Sequence, residues 1–596
     1  MFCLKVENKR LGFSTAQAHA VPGEQVVESE NVRVKFIGDK LYSFYLRLPT
    51  TVIAGESLAP VAEVELRRIF ERLVQKNESS FSSEKVSTYV AVEIETGKIR
   101  AFRNISCNRP LYFRRDKGVF ILSSHLAPFK REGIKLELRE EAIPELLVYR
   151  HITPPATICR SIDSVPGGFG LTFDPDKDCV SYKNLWQLER ANHGVTVKDA
   201  VDVTSELLRR SLWIPKETGR KTSLLLSGGL DSTLLGAFAR EIGMHLDSIS
   251  SGFHLITGDA GESHYARSAA DWLGINHRIH DVSEEDYLLQ LVDSVYDAEE
   301  PVHHLQSVIL GSLFSKAVGH DVTYLINGDG ADLLFGTAMH LRHLKSQRIV
   351  RFTDKKAVRS LAAPIFSALG RNSEKFRYLL YDHSDDHRDP NHFIWTLEAF
   401  GDIDWVRDFA GGDIAKIIEG RSSFLDNFGG WPIIDKMTVL FYCSDIDHSM
   451  KVWGKLAERD NHILLFPFSY PELIIYLLNL SWRIKGREPK YLLRAVAGAM
   501  KLSRHIIDRP KKSFGFDVKH WALQGTLFQP LVEMAGEMYD EKVLRSLQFG
   551  EPGKAMVLWG MINVYLWHRL FVQETPATAI KEEIVSRRKS QRKSRP

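Results

Sequence analysis

Leu224-Leu225-Leu226-Ser227-Gly228-Gly229-Leu230-Asp231-Ser232-Thr233 is the stretch that decides how this chain reads. Residues 223–226 predict a buried strand, Ser227-Gly228-Gly229 a tight turn, and residues 232–242 a helix. Glycines let backbone N–H groups approach an anion with no Cβ in the way. The helix start adds partial positive charge and unpaired donors. The spacing differs from the G-x-x-x-x-G-K-[ST] loop, so the turn suits a pyrophosphate rather than a transferred γ-phosphate.

Working outward, residues 197–212 predict an amphipathic helix, 247–252 a strand, 262–273 a helix, and 322–326 a strand ending at Asn327-Gly328-Asp329-Gly330. Apolar strands alternating with helices mean a parallel, doubly wound sheet. Such a sheet binds ligands outside the carboxyl ends of its strands, where Asp231 and Asp332 fall. Beyond it the chain is mostly helical to about residue 573. Residues 1–190 read instead as strands and turns, an α+β domain with antiparallel sheet. Hairpins are expected at 32–37 with 41–48, 89–94 with 98–102, and 111–114 with 119–122. Helical patches are expected at 62–75 and 140–149. No internal repeat is present.

The chain has 596 residues, 44% hydrophobic and 26% charged, with a net charge of +3. This excludes collagen-like, coiled-coil and wholly disordered classes, and gives no global case for nucleic acid. Five cysteines without a CxxC pair disfavour a zinc knuckle and fit a reducing cytoplasmic setting. No membrane span and no signal peptide are expected. Residues 341–360 carry seven Lys/Arg against one acid, and the last sixteen carry seven against two. The stretch 574–596 therefore reads as a basic, disordered tail, and 341–360 as a solvated face or a surface for an acidic peptide.

The decisive string resembles the pyrophosphate loop of the asparagine-synthetase-like family of ATP pyrophosphatases. The resemblance continues in order through Asp297-Ala298-Glu299-Glu300-Pro301, then Asn327-Gly328-Asp329-Gly330-Ala331-Asp332-Leu333-Leu334-Phe335-Gly336. Pro467-Phe468, Lys490-Tyr491-Leu492-Leu493-Arg494 and Arg509-Pro510-Lys511-Lys512-Ser513-Phe514 follow. It implies an α/β PP-loop ATP pyrophosphatase (adenine nucleotide α-hydrolase-like) domain over 195–573, with a helical C-terminal part. It implies ATP held at Leu226, Ser227, Gly228, Gly229, Asp231, Ser232, Ser251, Asn327 and Gly328, and Mg²⁺ held by Asp231 and Asp332. Lys511 resembles the family lysine that steadies the oxyanion and pyrophosphate. Asp329 stands where typical synthetases have Glu. Glu458, best matched to the family's E-x-R helix, would join Asp329 in binding the amine or taking its proton.

Residues 1–190 resemble the family's glutamine-hydrolysing domain (Ntn-hydrolase-like, glutamine amidotransferase type II). The carriers are Arg103 to Phe113, Phe120 to Leu126 and Val165-Pro166-Gly167-Gly168. The family's nucleophile is a Cys directly after the initiator Met. Here Phe2 follows Met1, the first Cys is Cys3, and the N-G-E-[IV]-Y-N segment is missing. Cys3 reads as a small buried apolar residue, and this domain as degenerate. The amine then comes with the substrate. Lasso-peptide cyclases share this loss and close a macrolactam between a precursor's N-terminal amine and an Asp or Glu side chain. That reading implies a precursor peptide, a leader peptidase and a leader-binding protein as partners. Two alternatives stay open: an ammonia-dependent asparagine synthetase, and a non-catalytic nucleotide-binding protein.

Overall fold

The computed structural model describes residues 2–8, 24–28, 32–38, 43–47, 51–57, 86–93, 96–105, 107–116, 119–189, 194–252, 261–337, 340–341, 400–411, 414–509, 527–548 and 552–593. Seventeen strands among them form three sheets. In chain order these are β1 Phe2–Asn8, β2 Glu24–Glu28, β3 Val32–Gly38, β4 Ser43–Arg47, β5 Thr51–Ser57, β6 Val86–Glu93, β7 Ile99–Arg103, β8 Tyr112–Asp116, β9 Val119–Ser123, β10 Asp163–Ser164, β11 Phe169–Asp174, β12 Cys179–Asn184, β13 Thr222–Leu225, β14 Leu246–Gly252, β15 His277–Asp281, β16 Tyr324–Ile326 and β17 Ile463–Leu465.

The first two sheets are antiparallel and six-stranded, ordered β10-β8-β9-β1-β3-β2 and β12-β11-β7-β6-β5-β4. Two expected hairpins form, β6 with β7 and β8 with β9. The third does not. β3 pairs with β1 and β2, whereas β4 pairs with β5 in the other sheet. A Gly-Asp-Lys turn signal is local, and the partner of a strand is chosen by which face it can bury. The expected helix at 140–149 is a short 3₁₀ turn followed by helix Ile143–Tyr149. The one at 62–75 lies outside the described residues.

The third sheet is parallel and five-stranded, ordered β15-β14-β13-β16-β17. Order reversal falls at β13 and β16, so the loops after these two strands face one crevice. Helix Leu230–Glu241 follows β13, helix Gly261–Leu273 follows β14, and helix Asp447–Arg459 precedes β17.

The boundary near residue 190 does not separate two cores. One apolar cluster joins Leu4, Phe120 and Phe169 with Leu224, Phe238 and Met437. A second joins Phe129 and Leu147 with Leu291, Ile309 and Trp559. Charge crosses the same seam. Both ends of the Arg103 guanidinium meet Asp447, at 2.6 and 3.0 Å. Lys455 donates to Glu299 at 2.7 Å, and Tyr112 donates to Glu300.

The C-terminal stretch departs from its expected disorder. Ala577–Lys593 is a helix. Its Ile580 and Ile584 are buried, and its Lys581 and Arg588 pair with Asp293 and Glu284 of helix Glu284–Ala298. Charge density alone hid the apolar pair at i and i+4, one face of a helix. Helix Gly553–Val572 is long and apolar enough to cross a membrane by length and composition. Of its most apolar 18-residue window, 83% is buried inside the fold. All five cysteines are free thiols.

Candidate functional site

The site grows from the end of β13. Leu226 is buried and its amide donates to the Ile249 carbonyl of β14 at 3.0 Å, which carries the chain straight to the turn. Ser227 then folds back. Its amide donates to Ser232 Oγ at 3.2 Å, the two hydroxyls lie 3.1 Å apart, and Ser227 Oγ accepts from the Gly229 amide at 3.3 Å. Gly228 has φ +69°, and a Cβ there would come within 2.3 Å of the Tyr265 carbonyl carbon. Both the left-handed backbone and the close approach of helix Gly261–Leu273 require glycine. Gly229 is the N-cap of helix Leu230–Glu241 and offers no capping side chain. The first amides of a twelve-residue helix therefore face the turn.

The second loop follows β16. The Asn327 amide donates to the Leu465 carbonyl of β17 at 2.9 Å, and Asn327 Oδ1 accepts from the Asp329 amide at 3.0 Å. Gly328 packs on the first loop; a Cβ there would lie 3.1 Å from the Ser232 amide nitrogen. Gly330, at φ +95°, turns the chain into helix Ala331–Phe335, which carries Asp332. Asp231 and Asp332 thus reach the same crevice from two loops, as the sequence predicts.

Lys490 joins them. Its Nζ donates to Asp231 Oδ2 at 2.6 Å and lies 3.1 Å from Asp332 Oδ1. Burial alone would depress this ammonium, but the two carboxylates outweigh it and hold its pKa above the usual lysine value. Two carboxylate oxygens sharing one small cation are also the donor set that a hard divalent ion takes alongside phosphate oxygens. The residues present therefore fit Mg²⁺.

Arg509 closes the flank of the turn. Its Nη1 donates to the Ser227 carbonyl at 3.2 Å, and its guanidinium lies 3.9 Å over the Tyr265 ring. Lys511, two residues on, lies outside the described residues, as does most of 341–360. Ser251 sits near the end of β14, in the strand beside β13.

Asp329 stands beside Tyr442. Burial, together with the Asp329 charge, pushes the Tyr442 phenol up, against the opposing effect of its 2.7 Å bond to Ser469 Oγ. Tyr442 opens the π-turn Tyr442–Ile446, which interrupts an otherwise α-helical run from Ile433 to Arg459. Such turns re-aim side chains at the cost of regular hydrogen bonding.

Glu458 goes elsewhere. It ends helix Asp447–Arg459, four residues after which the chain hydrogen-bonds to Thr323, just ahead of β16. That end lies at the amino ends of the parallel strands, opposite the two loops. There Glu458 pairs with Arg109 and approaches His125 Nε2 at 3.5 Å. Its proposed amine-handling role is corrected: the side chain is part of the seam. The match to the family's E-x-R helix put Glu458 ahead of Pro467-Phe468, but strand β17, Ile463–Leu465, intervenes between the two.

Sequence reading left out Lys490, Arg509 and Tyr442 as site residues. The first two lie within quoted motifs, where their register with respect to Asp231 was the missing information. Tyr442 carried no local signal.

The family model described as asparagine synthase matches residues 204–562, more than half of the chain. A protein of Mycobacterium tuberculosis (strain CDC 1551 / Oshkosh) named putative asparagine synthetase [glutamine-hydrolyzing] is 23% identical over 477 residues, 76% of this chain and 70% of the relative. Asparagine synthetase [glutamine-hydrolyzing] 1 of Bacillus subtilis (strain 168) is 24% identical over 491 residues, 78% and 74%. The NMN synthetase structure from Francisella tularensis is 14% identical and covers 43% of this chain and 96% of its own. Its TM-score of 0.20 is too low to bear on the fold. The motif order, the two converging loops and the extent of the family match lead to one statement: this chain belongs to the asparagine synthase family.

Proposed function

We propose that the chain activates a carboxylate with ATP and couples it to an amine, releasing pyrophosphate and AMP. The observation that carries this is the convergence of Asp231, Asp332 and Lys490 beside the Ser227-Gly228-Gly229 turn. A carboxylate oxygen attacks the α-phosphorus and the α–β P–O bond breaks. The amine nitrogen then attacks the acyl carbon, loses a proton, and AMP departs with the former carboxylate oxygen. The turn amides and the helix start would bind the β- and γ-phosphate oxygens. Asp231 and Asp332 would hold Mg²⁺, which supplies charge neutralisation for the leaving pyrophosphate. Lys511 would add fixed positive charge where the oxyanion develops. Asp329, beside the Tyr442 hydroxyl, would take the amine proton.

The amine in this proposal arrives with the substrate. Cys3 is 4% exposed, within β1 between Ile37 of β3 and Ser123 of β9. A thiol so enclosed is a poor nucleophile for glutamine. Together with the missing glutamine segment, this favours a substrate that carries both reacting groups, as in lasso-peptide cyclisation. A precursor peptide, a leader peptidase and a leader-binding protein would then be its partners. Holding both ends in one pocket makes ring closure effectively unimolecular. A second reading, asparagine from aspartate and free ammonia, is favoured by the names of the two bacterial relatives.

AMP and pyrophosphate release from ATP–Mg²⁺ separates these readings, with aspartate plus ammonia set against a leaderless candidate precursor. Peptide-dependent AMP with a product lighter by one water is the expected result. Asparagine formation would overturn the cyclase reading, and no turnover with any carboxylate would overturn the ligase itself. Asp231→Asn should lower AMP formation by about 100-fold or more while the chain stays folded.

A further inference from the structure

We propose that Lys490 is a built-in stand-in for the divalent cation: it occupies the Asp231–Asp332 pair until nucleotide arrives, then turns to the nucleotide's anionic oxygens. The proposal rests on the reading of these two carboxylates as the metal site. Its basis is the geometry of the ammonium itself. Nζ lies within 2.6 and 3.1 Å of one oxygen from each carboxylate, the position between two acidic loops that a metal ion would also take.

The lysine is anchored through its backbone at one end and held at the other by the two carboxylates. Its backbone holds a left-handed conformation, φ +56°, at the N-cap of helix Tyr491–Ala499. Its amide donates to the Gly336 carbonyl at 3.0 Å, and its carbonyl accepts from Arg494 at 2.9 Å. A non-glycine residue in this region costs stability and is retained where the surroundings fix it. The anchor ties Lys490 to the end of the second loop, while the four-carbon stem leaves the ammonium able to pivot. Its partner Asp231 sits in the first turn of the helix that the first-loop amides begin.

Charge counting sets the order of events. Counted among these three side chains alone, two carboxylates and one ammonium leave a single negative charge. A divalent ion added alone would put three positive charges against two negative ones in a partly enclosed crevice. Nucleotide phosphates remove that excess and give the ammonium a new partner. Metal binding therefore waits for nucleotide, and the empty site stays paired.

Titration of the full-length protein with Mn²⁺, with free metal read by electron paramagnetic resonance and no nucleotide present, tests this. Lys490→Met should bind Mn²⁺ about tenfold or more tighter than wild type, and Asp332→Asn in that background should abolish the gain. Lys490→Gln, which keeps a polar head on a similar stem, serves if the methionine variant does not fold. Equal affinity in wild type and variant would overturn the stand-in role. It would leave the metal site intact if ATP-dependent Mn²⁺ binding is still removed by Asp332→Asn. Tight Mn²⁺ binding that survives both Asp231→Asn and Asp332→Asn would overturn the carboxylate pair itself.

Discussion

The seam between the antiparallel sheets and the parallel sheet, and the crevice above the parallel sheet, are both built from ion pairs, yet they differ in what can reach them. At the seam the Arg103 and Asp447 side chains are 1% and 2% exposed. Arg103 also donates to the Arg109 and Cys107 carbonyls, both at 2.8 Å. Every donor is committed and water is excluded. In the crevice Lys490, Asp231 and Asp332 are 12%, 24% and 34% exposed. The same chemistry there keeps contact with solvent. Burial separates a structural ion pair from a functional one: desolvation makes the first costly to break, and solvent contact lets the second change partners.

The comparison can be broken most strongly at the seam. Arg103→Leu leaves the buried Asp447 with only Lys451, 3.6 Å away, and should cost about 3–5 kcal/mol of unfolding free energy, measured by denaturant titration. Adding Asp447→Leu should restore much of that loss. Equal destabilisation by the single and double variants would show that the pair's charge is not what the seam depends on.

Acid should act on the same region with a somewhat smaller effect. His448 lies 3.2 Å from Glu300, which also accepts from Tyr112. Burial, against the opposing Glu300 charge, lowers its pKa to about 4. His151, His303 and His304 around it are held well below the usual value, by burial first, then by Arg421 for His151, the His304 and His448 rings for His303, and Arg150 for His304. A histidine with a depressed folded pKa is protonated more readily when unfolded. Its contribution is therefore full above pH 6.5 and lost as pH falls toward 4, up to about 3 kcal/mol for His448. Glu300 extends the loss. Burial would raise its pKa, but Lys451, His448 and Lys455 outweigh this and bring it down to about 2. Its contribution is present above pH 4.5 and lost between 4.5 and 2. Asp445 and Glu145, raised by burial, bind protons more readily when folded, so they partly offset the histidine stretch above their ordinary values of 3.8 and 4.5. Thermal midpoints measured from pH 7.5 to 4 should fall continuously, and a flat profile would contradict the buried neutral histidines.

The smallest effect belongs to the C-terminal helix. Arg588→Ala removes a 2.6 Å pair with Glu284 whose acidic partner is one-third exposed, and should change stability by no more than about 1 kcal/mol. Ile584→Asp, on the buried face of the same helix, should cost more, because apolar docking holds it.

Local pattern was enough wherever function rests on backbone shape. The Ser227-Gly228-Gly229 turn, the strands at 223–226 and 247–252, and the helices after them were legible because glycine conformations and apolar periodicity are local properties. The α/β class followed from their alternation. The pairing of β3 and β4 with different partners was not legible, nor was β17 as the edge of the parallel sheet, because both depend on contacts far apart in the chain. Glu458 shows the limit for a side chain. Its match to the family's E-x-R helix suggested the crevice, but the direction of its helix took it to the opposite end of the sheet.

The sequence by itself determined the family, the Ser227-Gly228-Gly229 turn and the two aspartates, since each is written in a short run of residues whose backbone needs are fixed. Tertiary structure alone decided which cation those aspartates share, which charged pairs are sealed, and that the antiparallel region and the parallel sheet are built around shared cores. Lys490 is 259 residues from Asp231, and Arg103 is 344 from Asp447. No local rule of propensity or spacing brings such residues together. Only the packing of the sheets and helices between them does.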